Sequence, residues 1–114
     1  QILTGVNHGM RIMTEESFGP VVGIQRVSSD EEAIALMNDS DYGLTAAIFS
    51  QDVEAALAIA DEIQTGTVFL NRCDYLDPAL AWTGVKHSGR GCTLSSVGYE
   101  HLTRPKSFHF KILS

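Results

Sequence analysis

Short β-rich segments alternate with helix-like segments along the chain, and this alternation restricts the folds that it can adopt. Residues 21–27, 44–49 and 67–70 are short and apolar or rich in β-branched side chains, which is typical of buried strands. Between them, residues 29–38 and 52–63 place apolar side chains at helical spacing. This order with short connections predicts an α/β fold: a mainly parallel sheet with flanking helices and right-handed crossovers.

The predicted helices begin and end at recognisable local signals. Ser29 followed by Glu32 is a capping-box pattern, and either Ser50 or Asp52 can cap the second helix. Gly66 lies where a left-handed residue can close that helix. The predicted buried stripe of the second helix comprises Ala56, Leu57, Ala60 and Ile63.

The C-terminal third of the chain divides into a loop, a helix and a tail. Residues 72–92 show no sustained period and predict a long loop, whereas residues 93–103 predict a weaker helix that ends before Pro105. After Lys106, polar and apolar side chains alternate in the order Ser107, Phe108, His109, Phe110, Lys111 and Ile112. A period of two predicts a strand with one apolar face.

Charge and cysteine content restrict the setting of the protein. The net charge of −6 argues against nucleic acid and anionic membrane surfaces as partners. No apolar run approaches the roughly 18 residues of a spanning helix. Cys73 and Cys92 are too few for a disulfide framework, which favours a reduced, cytoplasmic setting.

Residues 15–20, Glu-Glu-Ser-Phe-Gly-Pro, are the most suggestive polar stretch. They lie directly before a predicted strand, and ligands of open α/β sheets bind beyond strand ends. A carboxylate there can accept hydrogen bonds from sugar hydroxyls, and an aromatic ring can cover a flat ligand ring. The alternative is a helix start with Thr14 as N-cap and acidic residues in the first turn.

Five segments resemble motifs of the aldehyde dehydrogenase superfamily, in that family's order and spacing. They are MTEESFGPVV at residues 13–22, EEAI…MN at 31–38, DYGLTAAIF at 41–49, GTVFLN at 66–71 and GVKHSGRG at 84–91. The first resembles the EE-x-FGPV signature of the family. The resemblance covers essentially the whole chain and implies that it is the C-terminal minority of a family subunit, consistent with a first residue that is not Met.

The resemblance also implies a division of the chain. Residues 1–104 correspond to the last part of the catalytic domain, and residues 105–114 correspond to a tail strand that family members use for oligomerisation. A homo-oligomer that pairs through residues 106–112 is therefore expected. An apolar strand without a partner cannot satisfy its backbone groups. The alternative is a tail that folds back onto its own sheet or stays disordered.

The implied reaction is NAD- or NADP-dependent oxidation of an aldehyde to a carboxylic acid. In the family, a cysteine thiolate attacks the aldehyde, hydride passes to nicotinamide, and a glutamate-activated water releases the acid. The nucleophile, the base and the adenine-binding fold lie upstream in the family, so no catalytic residue is assigned here and the segment alone is predicted to be inactive. By motif position, Glu16 resembles the glutamate that holds the nicotinamide ribose hydroxyls. Phe18 resembles the aromatic residue packed near the nicotinamide.

Other residues carry weaker expectations. The family's frequent Pro-Phe-Gly-Gly is replaced by Ala-Trp-Thr-Gly at residues 81–84, so Trp82 is a candidate for a substrate-tunnel wall, with core packing as the alternative. Cys92 lies beside Arg90 and before a predicted helix, where a thiol can become reactive, but a small packing residue is favoured. Asn71 is expected to hold the loop at 72–92. The four histidines lack metal-ligand spacing, so no metal site is predicted.

Two other classes of function remain as alternatives. The chain could be a stand-alone, non-catalytic assembly or binding module that keeps the fold. It could also be a small nucleotide-binding regulator, although it lacks a glycine-rich dinucleotide fingerprint. An upstream region that carries the cysteine and the glutamate would distinguish the enzyme from both. The identity of the aldehyde and the choice between NAD and NADP are not encoded in this stretch.

Overall fold

The computed structural model describes residues 1–113, which contain eight short strands and four helices. The strands are β1 (Ile2–Thr4), β2 (Val22–Ile24), β3 (Tyr42–Gly43), β4 (Thr45–Ile48), β5 (Thr67–Leu70), β6 (Trp82–Thr83), β7 (Val85–Lys86) and β8 (Cys92–Thr93). The helices are α1 (Arg11–Thr14), α2 (Asp30–Asn38), α3 (Val53–Glu62) and α4 (Ser95–Leu102). The α/β composition agrees with the sequence prediction.

Strand pairing is partly parallel, as predicted, but it does not form one sheet. β4 and β5 pair in parallel, from Thr45 opposite Thr67 to Ile48 opposite Leu70, and α3 connects them. β1 and β2 also pair in parallel. The ladders β3–β7 and β6–β8 are antiparallel, and the four ladders are separate two-stranded sheets. The antiparallel strands are two residues long, which is too short for a period of two to be recognised in the sequence.

The predicted helix starts are confirmed, with one change in the first. The Ser29 hydroxyl accepts a hydrogen bond from the Glu32 amide at 3.2 Å. The Glu32 carboxylate binds Ser28 instead of Ser29, through its hydroxyl at 2.6 Å and its amide at 2.8 Å, and these bonds lower the pKa of Glu32. At α3, the Asp52 carboxylate accepts from the Ala55 amide at 2.9 Å.

The prediction for Gly66 was wrong. Helix α3 ends at Glu62, and the residue that follows, Ile63, is extended rather than left-handed. Gly66 instead lies against the backbone carbonyl of Thr83, where a Cβ atom would collide. The glycine is therefore required by close packing between β5 and β6, a contact between distant parts of the chain that local sequence does not encode.

Little of the apolar surface is buried within the chain. Among the described residues, only Ala56 and Ile63 are buried apolar side chains, whereas Leu57 of the predicted stripe is 63% exposed. The strands predicted to be buried are also open, with Val22 53% exposed and Phe49, next to β4, 70% exposed. The predicted burial of Ala56 and Ile63 is confirmed, whereas that of Leu57, Val22 and Phe49 was wrong for the chain by itself, because no second layer of described residues covers them.

The size of the molecule leads to the same conclusion. Its accessible surface is 9349 Å² for 12.4 kDa, whereas a compact protein of that mass exposes about 6,100 Å². Its radius of gyration is 19.6 Å, against about 13 Å for a compact domain of this length. The described chain is therefore extended and leaves much of its apolar surface exposed.

The tail contains no strand in the described residues. Residues 103–113 pair with no other described segment, and Phe108, Phe110 and Ile112 are 67%, 78% and 92% exposed. The two phenylalanine rings stack on each other with their centroids 5.8 Å apart. The tail is not folded back onto a sheet of its own chain, and its pairing with another chain stays a prediction.

Asn38 joins the ends of the two long helices, which leads to a prediction about stability. Its amide donates to the Glu62 carbonyl at 2.8 Å, and its side-chain oxygen accepts from the Gln64 amide at 2.7 Å. Asn38→Ala removes both bonds, and the exposed Glu62 carbonyl and Gln64 amide then bind water instead of the other helix. We expect the free energy of unfolding to fall by about 1–3 kcal/mol. Urea unfolding measures this, with the exposed Gln51→Ala as the control, and equal effects of the two variants would contradict the role of Asn38.

Candidate functional site

The acidic stretch follows a helix and does not begin one. The side-chain oxygen of Asn7 accepts from the Gly9 amide at 3.0 Å, and the chain then forms the four-residue helix α1. Thr14 is the last residue of α1, and the Glu15 amide closes the helix on the Arg11 carbonyl at 2.8 Å. The interpretation of Thr14 as an N-cap was therefore wrong. No helix was predicted at residues 11–14, although an asparagine two residues before a glycine is a turn signal.

Glu16 and Phe18 lie on the loop that connects α1 to β2. Glu16 is exposed and makes no side-chain hydrogen bond to a residue that the structure describes. The ring of Phe18 is 97% exposed. The loop is held by local bonds, from the Gly19 amide to the Ser17 hydroxyl and from the Val21 amide to the Gly19 carbonyl. A free carboxylate and an uncovered ring are thus presented together, two residues apart, directly before a strand.

Arg11 and Glu15 form an ion pair beside this loop. The guanidinium donates from Nε to Oε1 at 2.7 Å and from Nη2 to Oε2 at 2.8 Å. This hydrogen bonding raises the pKa of Arg11 and lowers the pKa of Glu15. Arg11 was not predicted from the sequence, although an arginine four residues before a glutamate is a recognisable helical ion-pair spacing.

Trp82 lines a separate apolar pocket. It is half-buried in β6, opposite Thr93 of β8. The pocket has a volume of about 200 Å³, and its apolar lining includes Phe69, Tyr75, Leu76, Leu80 and Leu94. Neither Glu16 nor Phe18 lines it, so the structure does not bring the three candidate residues into one cavity. The pocket fits both interpretations of Trp82, as a tunnel wall and as a packing residue.

Several bonds fasten the glycine-rich segment at residues 84–91 next to Trp82. The Lys86 ammonium donates to the carbonyls of Asn38 and Ser40 at 2.6 and 2.9 Å, at the C-terminal end of α2. The Ser88 hydroxyl accepts from the Gly43 amide at 2.9 Å. These contacts fix the position of the segment relative to α2 and β3.

Asn71 binds loop backbone, as predicted, but in a different loop. Its side chain accepts from the Ser50 amide at 3.0 Å and donates to the Ser50 carbonyl at 2.8 Å. The loop that it holds connects β4 to α3 and is not the one at residues 72–92. Residue 71 directly follows β5, and the parallel pairing of β4 with β5 places it beside the end of β4. The partner of Asn71 is therefore determined by the sheet.

The cysteines and histidines form no recognisable reactive centre. Cys73 is exposed, and the thiol of Cys92 lies 3.4 Å from the carbonyl oxygen of Thr93. His8 lies 2.9 Å from the carboxylate of Asp39. Within residues 1–113, no three His, Cys, Asp or Glu side chains are grouped so that they could hold a metal ion. Over the same residues, no helix has the length and apolarity needed to cross a membrane.

Relatives of this chain are found over almost its whole length. It is 43% identical over 106 residues to an aldehyde dehydrogenase of Paenarthrobacter nicotinovorans, covering 93% of this chain and 23% of the relative. It is 43% identical over 105 residues to the succinate-semialdehyde dehydrogenase [NADP(+)] of Deinococcus radiodurans, covering 92% of this chain and 22% of the relative. The chain thus spans about a fifth of the length of these curated relatives.

Solved structures agree with these relatives. Betaine aldehyde dehydrogenase from Staphylococcus aureus, in complex with NAD+, superposes on the chain with a TM-score of 0.83 at 40% identity. The superposition covers 87% of this chain and 20% of that one. The family model described as the aldehyde dehydrogenase family matches residues 1–108. Because that match includes nearly every residue, the chain belongs to the aldehyde dehydrogenase family.

Proposed function

We propose that this chain is the C-terminal segment of an NAD(P)-dependent aldehyde dehydrogenase subunit that oxidises an aldehyde to a carboxylic acid. Membership of the family supports the reaction class. The chain covers about a fifth of the length of its relatives, which supports its place in a longer subunit. The uncovered apolar faces of β2, β4 and α3 also support it, since the remainder of a subunit would bury them.

Within that subunit, we assign Glu16 to the ribose hydroxyls of the nicotinamide nucleotide and Phe18 to packing near the nicotinamide. The observation that carries this assignment is the exposed Glu16 carboxylate, which has no partner among the described residues and is therefore free to accept two hydroxyl donors. The 97% exposed ring of Phe18 is equally available for contact with a flat ring. When bound, the cofactor would accept a hydride from the substrate.

The cofactor is proposed to be NAD or NADP. The Staphylococcus aureus structure contains NAD+, and the Deinococcus radiodurans relative is named for NADP(+). Trp82 is proposed to line the route of the aldehyde, supported by its position on an apolar pocket beside a well-fastened glycine-rich segment.

We place the nucleophilic cysteine and the general base outside this segment, so the segment alone is proposed to be inactive. Cys92 has only a backbone carbonyl as its described hydrogen-bond partner. A reactive thiolate needs a cation, a base or a helix N-terminus. Two cysteines that form no disulfide also support a reducing, cytoplasmic setting.

Substitution of Glu16 tests this function in the full-length product of the gene that encodes the chain. Glu16→Gln keeps the size of the side chain but removes the charge from its hydrogen bonds, which roughly halves their strength. We expect single-turnover hydride transfer to slow by about tenfold and the midpoint of thermal unfolding to stay unchanged. Glu54→Gln, the same substitution at an exposed glutamate of α3, is the matched control. Unchanged hydride transfer and unchanged cofactor affinity in Glu16→Gln would refute the assignment.

A non-catalytic assembly or binding module is the alternative function. The tail at residues 106–112 is apolar and exposed, which suits association with another chain. It therefore favours the assembly or binding module over the nucleotide-binding regulator. The two proposals differ in the length of the natural product. A product that continues upstream into a region with a nucleophilic cysteine and a glutamate supports the enzyme, whereas a product without one supports the module.

A further inference from the structure

We propose that Arg11 and Glu15 form a positioning pair for Glu16. The pair occupies the carboxylate of Glu15, so that Glu16 carries the available carboxylate of the two adjacent glutamates. This inference rests on the proposed function of Glu16 as a ribose ligand. Arg11 and Glu15 do not themselves contact the cofactor in this proposal. They act through the conformation of the loop that follows α1.

The geometry ties residue 15 to α1 through both its backbone and its side chain. The Glu15 amide donates to the Arg11 carbonyl at 2.8 Å. The Glu15 carboxylate accepts two parallel bonds from the Arg11 guanidinium, at 2.7 and 2.8 Å. A bidentate pair restricts orientation as well as distance, so the Glu15 side chain is turned back along the helix.

The conformation of Glu15 then separates the two carboxylates. Its φ of −107° and ψ of 146° are those of extended backbone, in which successive side chains point to opposite sides of the chain. With Glu15 turned towards Arg11, this alternation is expected to direct Glu16 to the opposite side. Glu16 is exposed and has no described hydrogen-bond partner.

Charge gives the pair a second effect on Glu16. Two adjacent free carboxylates repel each other and compete for the same donors. The hydrogen bonds from Arg11 compensate the charge of Glu15, which is why the pKa of Glu15 is lowered. Both oxygens of the Glu15 carboxylate already accept from Arg11, so the carboxylate of Glu16 is the acceptor left for hydroxyl donors.

The test uses the full-length product and measures the dissociation constant of NADH or NADPH by fluorescence, together with single-turnover hydride transfer. Arg11→Gln and Glu15→Gln each break the pair. Because the pair is exposed, we expect cofactor affinity to fall by only about two- to fivefold. Arg11→Lys keeps the charge but loses the bidentate geometry, so its effect should be smaller.

Two measurements separate positioning from a general loss of structure. The charge-swapped double variant, Arg11→Glu with Glu15→Arg, should restore the affinity to within about twofold, because an ion pair at this spacing forms in either order. The difference between the wild type and Arg11→Gln should shrink at about 1 M salt, where exposed charges are screened. Failure of the double variant to restore affinity overturns the proposal.

Glu16→Gln in the same assays distinguishes this inference from the function on which it rests. If Glu16→Gln changes neither affinity nor hydride transfer, the proposed function itself fails. If Glu16→Gln impairs both but Arg11→Gln and Glu15→Gln impair neither, the function stands and the positioning role of the pair is refuted.

Discussion

The isolated 114-residue chain should form no NADH or NADPH when it is supplied with an aldehyde and either cofactor. The proposed oxidation of an aldehyde requires a nucleophilic thiolate and a base, and we place both outside this segment. Cys73 is exposed in a loop, and Cys92 lies in β8 with only a carbonyl oxygen as its described partner. Without the covalent step, binding alone does not transfer hydride.

A spectrophotometric assay of NAD(P)H formation measures this expectation, with the full-length product as the positive control. Cys73→Ser and Cys92→Ser are prepared alongside the wild-type chain. Turnover by the chain that disappears in one of these variants would contradict the account and assign the nucleophile to that cysteine.

The isolated chain should also associate through its tail, and a double substitution should release it. Phe108 and Phe110 are 67% and 78% exposed and stack on each other, while the tail backbone pairs with no described strand. An unpaired edge with one apolar face recruits another strand, often from a second copy of the same chain. Phe108→Lys with Phe110→Lys adds two positive charges to that face, so we expect a shift from dimer or larger species towards monomer.

A control on the opposite face makes this test specific. Ser107→Lys with His109→Lys adds two lysines to the same segment but leaves the apolar face intact, so it should remain associated. Light scattering at tens of micromolar measures the mass of each variant. A monomeric wild-type chain with a protease-protected tail would show that the tail folds onto its own chain, and equal dissociation of both variants would show that charge alone causes the effect.

Features determined by local sequence could be predicted, and those determined by distant contacts could not. The caps at Ser29 and Asp52 depend on residues within three positions, and both form as expected. The strands β4 and β5 follow from short apolar runs around a helix. By contrast, the need for glycine at residue 66 comes from its contact with Thr83, and the hydrogen-bond partner of Asn71 is Ser50. Both partners are remote in the sequence.

Burial and the candidate site show the same limit. The apolar character of Leu57 predicted a buried side chain, but burial depends on a covering layer that this chain does not supply to that face. The motif identified Glu16 and Phe18, and the structure adds that α1 precedes them and that Arg11 pairs with Glu15. An ion pair of this kind could have been found by its spacing of four residues, had a helix been predicted there.

The central claim, that Glu16 holds the nicotinamide ribose, is tested most directly by a crystal structure of the full-length product with bound NAD or NADP. The measurement is the distance from the two carboxylate oxygens of Glu16 to the ribose hydroxyl oxygens. The account predicts hydrogen bonds of about 2.5–3.0 Å from both hydroxyls. A bound nicotinamide ribose whose hydroxyls are held by other residues, with the Glu16 carboxylate beyond hydrogen-bonding distance, would contradict it.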